Sequence, residues 1–107
     1  MEKVSVKYKT QVTHYLNELI FKLFKDDYFS YFENSVEYKN KIIEFIDANI
    51  AIFPARKTPL RIRYLGSNYI FYKSNQRTTW YIFFEQKETN FIITTIINNN
   101  SKEVKWL

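Results

Sequence analysis

The run from Pro59 to Asn98 decides the fold. Leu60-Arg61-Ile62-Arg63-Tyr64-Leu65 alternates apolar with basic residues, the period of a half-buried strand. Gly66-Ser67-Asn68 supplies turn chemistry and holds the only glycine in the chain. Tyr69-Ile70-Phe71-Tyr72-Lys73 follows, then a polar turn from Ser74 to Arg77. Thr78-Thr79-Trp80-Tyr81-Ile82-Phe83-Phe84-Glu85 comes next, then a turn from Gln86 to Asn90, and finally Phe91-Ile92-Ile93-Thr94-Thr95-Ile96-Ile97. Short polar turns between β-branched and aromatic runs predict a meander of antiparallel strands. Trp80, Ile82 and Phe84 face one way, and Thr79, Tyr81, Phe83 and Glu85 the other. One row must pack on helices. The other is free to meet a partner.

Upstream, Val4, Val6 and Tyr8 alternate with Ser5, Lys7 and Lys9, a short first strand with one apolar face. The period changes at Thr10, a predicted N-cap. Val12, Tyr15, Leu16, Leu19, Ile20, Leu23 and Phe24 then mark an amphipathic helix that stops at Asp26-Asp27. Ser30-Tyr31-Phe32-Glu33 has the form of a capping box, and Phe32, Val36, Ile42, Ile43, Ile46 and Ile50 mark a second helical face. A short connection predicts an antiparallel hairpin of the two helices. Pro54 and Pro59 bracket a linker to the sheet. Lys102 to Leu107 reads either as a final helical turn or as a docking tail. The sum is an α+β fold: a short N-terminal strand and a two-helix hairpin on one face of a mainly antiparallel sheet of four to five strands, in one domain spanning 1–107.

At 107 residues the chain is long enough for one core, and 46% hydrophobic with 25% charged residues is a globular balance. Zero cysteines exclude disulfides, thiolate nucleophiles and cysteine-built zinc sites. No apolar run approaches the roughly 18 residues of a membrane span, and Met1-Glu2-Lys3-Val4 lacks the apolar core of a signal peptide. A cytoplasmic protein with no membrane partner is expected. A lone glycine cannot build a phosphate loop, His14 is a lone histidine off its helix's apolar stripe, and no acidic cluster has calcium-loop spacing, so neither metal nor cofactor is expected. Asp26-Asp27 reads as a helix stop.

The net charge is +5, from 16 basic and 11 acidic residues. That excess suits an anionic partner, nucleic acid or an acidic protein, and equally serves solubility. Arg56, Lys57, Arg61, Arg63, Lys73 and Arg77 gather in the linker, the first meander strand and the hairpin beside it. They form the expected cationic surface for nucleic acid or another target, with tyrosines close by.

In order and texture the chain resembles the RelE/ParE family of bacterial type II toxins. The residues carrying the likeness are the strand Val4–Tyr8, the helical hairpin, the Pro-bounded linker, Tyr69-Ile70-Phe71-Tyr72, Thr79-Trp80-Tyr81-Ile82-Phe83-Phe84 and the polar close Ile96-Ile97-Asn98-Asn99-Asn100. The resemblance implies a cognate antitoxin as partner, for which Tyr81, Phe83 and Trp106 are the candidate contacts. It also implies one of two actions. RelE-type members cut messenger RNA on the ribosome with lysines and arginines; ParE-type members poison DNA gyrase. Ile70 and Tyr72 stand where ribonuclease members carry lysines, Trp80 stands about where they carry an arginine, and Asn98-Asn99-Asn100 replaces a basic segment. Those departures point to ParE-like inhibition of a large target by binding. The alternatives are an endonuclease with a different set, Arg61, Arg63, Arg77 and Tyr81, or a non-toxic binding module on the same fold.

Overall fold

A computed structural model describes residues 3–25, 32–74 and 76–107, with the side chains of 20–25 and 32–34 left aside. The predicted helix stop at Asp26-Asp27 and the capping box at Ser30 lie outside the described residues. The elements are β1 (Ser5–Tyr8), α1 (Thr10–Lys25), α2 (Phe32–Asn49), β2 (Arg56–Lys57), a 3-10 turn (Leu60–Leu65), β3 (Asn68–Lys73), β4 (Thr79–Lys87), β5 (Asn90–Asn98) and a C-terminal 3-10 turn (Lys102–Trp106). The strands form one sheet in the order β1-β5-β4-β3-β2. It is mixed: β1 runs parallel to β5, and every other pair is antiparallel.

The helices cover one face. Val12, Leu16 and Leu19 of α1 and Ile42 and Ile46 of α2 bury their side chains with Ile70, Trp80, Ile82, Phe84, Phe91, Ile93 and Ile96. This is the apolar row that the alternation in β4 sets toward the helices. Trp80 is fully enclosed, and its indole N–H donates to Tyr38 Oη at 2.9 Å, so the polar tip of the largest core side chain is satisfied. Tyr38 Oη in turn shares a 2.7 Å hydrogen bond with Ser74 Oγ, which ties α2 to the end of β3. α1 starts one residue earlier than expected, because Thr10, the expected cap, already lies inside the helix. Lys9 O accepts from Thr13 N–H at 3.1 Å, so Lys9 holds the cap position and Thr10 is the first helical residue. His14 is exposed, in keeping with its place off the stripe.

The main correction concerns Leu60–Leu65, which forms two short 3-10 turns joined by a kink at Ile62 and not a strand. Pro59 precedes it, Ile62 N–H donates to Pro59 O at 3.1 Å, and Gly66 N–H donates to Arg63 O at 3.0 Å. Leu60 and Tyr64 are left 80% and 75% exposed, while Ile62 is buried and Leu65 half-buried, a spacing of three that matches a 3-10 turn. The cause is tertiary. The turn lies across the helix-free face, where Ile62 and Leu65 close over Tyr69 and Phe83. Burying those two rings is worth more than one further strand at the sheet edge. The strand expected there is replaced by the two residues Arg56–Lys57, paired with Tyr69 and Asn68.

β5 carries a bulge that aligns both faces. Phe83 pairs with Thr95 and Phe84 with Ile93, so Thr94 is the extra residue. The shift lets Ile93 and Ile96 share the helix face although three positions separate them. Thr94 Oγ1 donates to Leu65 O and pins the 3-10 turn to the sheet.

Tyr8 ties β1 to α2 through a 2.8 Å hydrogen bond from its hydroxyl to Asp47 Oδ1. Burial, and then the hydrogen bond to Asp47 and its charge, push the phenol's pKa well above its ordinary value. A pKa raised on folding gives stability that is complete below the unfolded value of about 10 and is lost as pH climbs above it. Tyr8→Phe is therefore expected to cost about 1 kcal/mol at neutral pH. Its stability should then fall less steeply than the wild type's above about pH 10. Urea unfolding across that range measures both effects.

Candidate binding groove on the helix-free face

Alternation in β3 sends Ile70 and Tyr72 toward the helices and leaves Tyr69, Phe71 and Lys73 on the other face. Tyr81 on β4 stands beside Tyr69, ring centroids 6.3 Å apart. Arg56, held opposite Tyr69 by β2–β3 pairing, places its guanidinium carbon 5.4 Å from the centre of the Phe71 ring. The C-terminal 3-10 turn supplies the far wall with Val104, and Leu107 follows it. Together with Thr79 these residues enclose an open groove of about 310 Å³. It carries two cations and three aromatic rings, and among the described residues no Asp or Glu side chain lines it.

The expected cationic surface is split among several places. Arg56, Lys73 and Tyr81 share this groove. Lys57 and Arg63, with Ser67 and Asn68, line a separate depression of about 210 Å³. Arg63 is held there by its own chain, because Nε and Nη2 both donate to Thr58 O, at 3.2 and 3.0 Å. Three of its five N–H donors stay available. Arg61 stacks on Trp106, its guanidinium carbon 4.1 Å from the ring centre, with Lys105 Nζ 5.0 Å from the same ring. Arg77 lies exposed in the β3–β4 turn, where its carbonyl accepts from Asn99 Nδ2 at 3.0 Å. The set Arg61, Arg63, Arg77 and Tyr81 is thus not gathered in one depression.

The three candidate antitoxin contacts also part company. Phe83 is fully buried beneath Ile62 and Leu65 and offers no surface. Tyr81 is half-buried on the groove wall, and Trp106 is 39% exposed between Arg61 and Lys105. Tyr69, Phe71 and Thr79 were legible as groove residues from strand alternation alone. Val104 and Leu107 were not, because nothing local says where a C-terminal turn will dock.

Cations flanking half-buried rings such as Phe71 and Tyr81 can hold an anionic group by charge and a planar or apolar group against the ring faces. Among the described residues, no three His, Cys, Asp or Glu side chains come together as a metal site, and no helix is long and apolar enough to cross a membrane. Searches against protein-family models, curated proteins and solved structures found no match to this chain.

Proposed function

We propose that the chain is the toxin of a RelE/ParE-like type II toxin–antitoxin pair, acting by binding a large bacterial target of the DNA gyrase kind and neutralised by a cognate antitoxin. The observation that carries this reading is the groove. Arg56 and Lys73 flank Tyr69, Phe71 and Tyr81 on the one sheet face without helices, which makes a ready docking surface for an acidic or anionic partner. The element order agrees with the resemblance: a first strand, two helices that share one face, then the strands of the meander. A site for phosphoryl transfer needs several cations converging on one phosphate. The dispersal of Arg61, Arg63 and Arg77 therefore favours binding over cleavage.

A second reading, a nucleic-acid-binding module, draws on the Lys57–Arg63 depression. Neighbouring β2 residues place one cation in each of two hollows, so each hollow can meet an anionic group.

Expression from a tightly repressed promoter in bacteria, with growth, DNA synthesis and protein synthesis followed separately, distinguishes these. Arrest with failing DNA synthesis is expected, relieved by Arg56→Glu with Lys73→Glu in a chain that still folds. Arrest with failing protein synthesis would instead support an endonuclease, and growth without arrest would remove the toxin reading.

A further inference from the structure

The two edges of the sheet are finished differently. At the β2 end, pairing stops after Arg56–Lys57, and Pro54 stands just upstream with no N–H to offer. Phe53 lies against Phe71 and Phe45, ring centroids 5.6 and 5.7 Å away, and shields the rest of β3. This edge strand is only two residues long.

The β1 end has no such cover among the described residues. β1 is terminal in the sheet and pairs on one side only, with β5. Ser5 N–H donates to Thr89 O at 2.9 Å and Lys9 N–H to Ile93 O at 3.1 Å. In a parallel ladder these bonds fix the alternation: Ser5, Lys7 and Lys9 turn their main-chain groups toward β5, and Val6 and Tyr8 turn theirs outward. The outer edge therefore presents the N–H and C=O of both Val6 and Tyr8, four groups in register for another strand.

Side chains say which strand. Val6 and Tyr8 pack against the helix-side core, so Lys7 projects from the opposite face. Lys3, Lys7 and Lys9 are all exposed, and no acidic residue stands between Lys3 and Thr10. A second copy of this chain pairing antiparallel here would set lysine against lysine, which is unfavourable. An incoming residue opposite Lys7 shares its face and gains from a carboxylate. Residues opposite Val6 and Tyr8 fall on the helix side and gain from being apolar.

We propose that the outer edge of β1 accepts an extended peptide segment in which acidic and apolar residues alternate, adding a sixth strand beyond β1. The site is distinct from the groove and does not depend on the toxin reading.

The probe is a synthetic peptide of alternating valine and glutamate, added to the ¹⁵N-labelled full chain and followed by amide hydrogen exchange. Exchange at Val6 and Tyr8 is expected to slow by about tenfold or more at saturation, while amides already bonded to β5 change little. The effect should shrink in about 0.5 M salt, as charge steering requires. Lys7→Glu should weaken binding by up to about fivefold, the ordinary worth of one exposed ion pair. Val6→Pro removes an outward N–H that the chain's own sheet does not use, and should abolish the protection at Tyr8. Unchanged exchange across β4 shows that either variant is folded. The proposal is overturned if Val6 and Tyr8 exchange at their free rates, if a peptide of alternating valine and lysine protects them equally, or if the acidic peptide perturbs Arg56, Tyr69 and Tyr81 instead.

Discussion

Gly66→Ala is expected to destabilise the protein by about 2–6 kcal/mol, with backbone strain and overpacking each adding about 1–3. Gly66 sits at φ 154°, ψ 150°, a backbone region open in practice to glycine alone. A Cβ there would lie 2.9 Å from both Phe83 Cβ and Phe84 N, and would also run into Thr94 Oγ1. None of these can yield cheaply. Phe84 N belongs to the central strand, Phe83 is fully buried, and Thr94 Oγ1 holds the hydrogen bond to Leu65 O that pins the 3-10 turn. Relief by moving the turn outward would expose Ile62 and Phe83 together. For a domain of this size each kcal/mol shifts the melting temperature by about 4–8 °C, so a drop of at least about 8 °C is expected in thermal unfolding by circular dichroism. A variant melting within a few degrees of wild type would show that the turn is not seated against β4 at this point.

That single glycine also shows how far the sequence could be read. Its position in a turn was plain from Gly66-Ser67-Asn68. Its closeness to Phe83 and Thr94 was not, because the contact joins segments far apart in the chain. The same boundary runs through the rest of the fold. β3, β4 and β5 were legible because period two, β-branching and polar turns agree, and their ends moved by only one or two residues. The two helices were legible from their stripes. Leu60-Arg61-Ile62-Arg63-Tyr64-Leu65 was not, because six residues satisfy period two and period three about equally well. What decided between them was the need to cover Phe83 and Tyr69, a demand set on β4 and β3 and felt in the turn. The candidate site inherits this mistake. As a strand, the segment would have lined Arg61 and Arg63 side by side; as a 3-10 turn it sends Arg61 to Trp106 and Arg63 to Thr58 O. Tyr81 stands on β4, whose alternation the sequence showed; Lys73 and Arg56 reach the same groove through the register of β3 on β4 and the pairing of β2 with β3, which it did not show.

Phe83→Ala tests that reassignment. It is expected to cost about 3–5 kcal/mol, the usual loss for an aromatic ring removed from a closed core. Phe83 has no exposure and packs with Ile62, Tyr69, Leu65, Tyr81 and Ile97. Its immediate cover is the 3-10 turn, pinned at Gly66 and Thr94 and unable to sink into the space the ring leaves. Much of the cavity should therefore persist. Tyr81→Ala, on the same face and half-buried at the groove wall, should cost about 1–2 kcal/mol, because part of its ring is already in water. Ile62→Ala should couple to Phe83→Ala by about 1 kcal/mol, since the two side chains touch across one small core. Urea unfolding of the four variants, the double included, measures all three values. A ring that instead faced solvent to meet a partner would give a Phe83→Ala variant as stable as wild type and no coupling to Ile62. That result would reopen the helix-free face and return Phe83 to the docking surface.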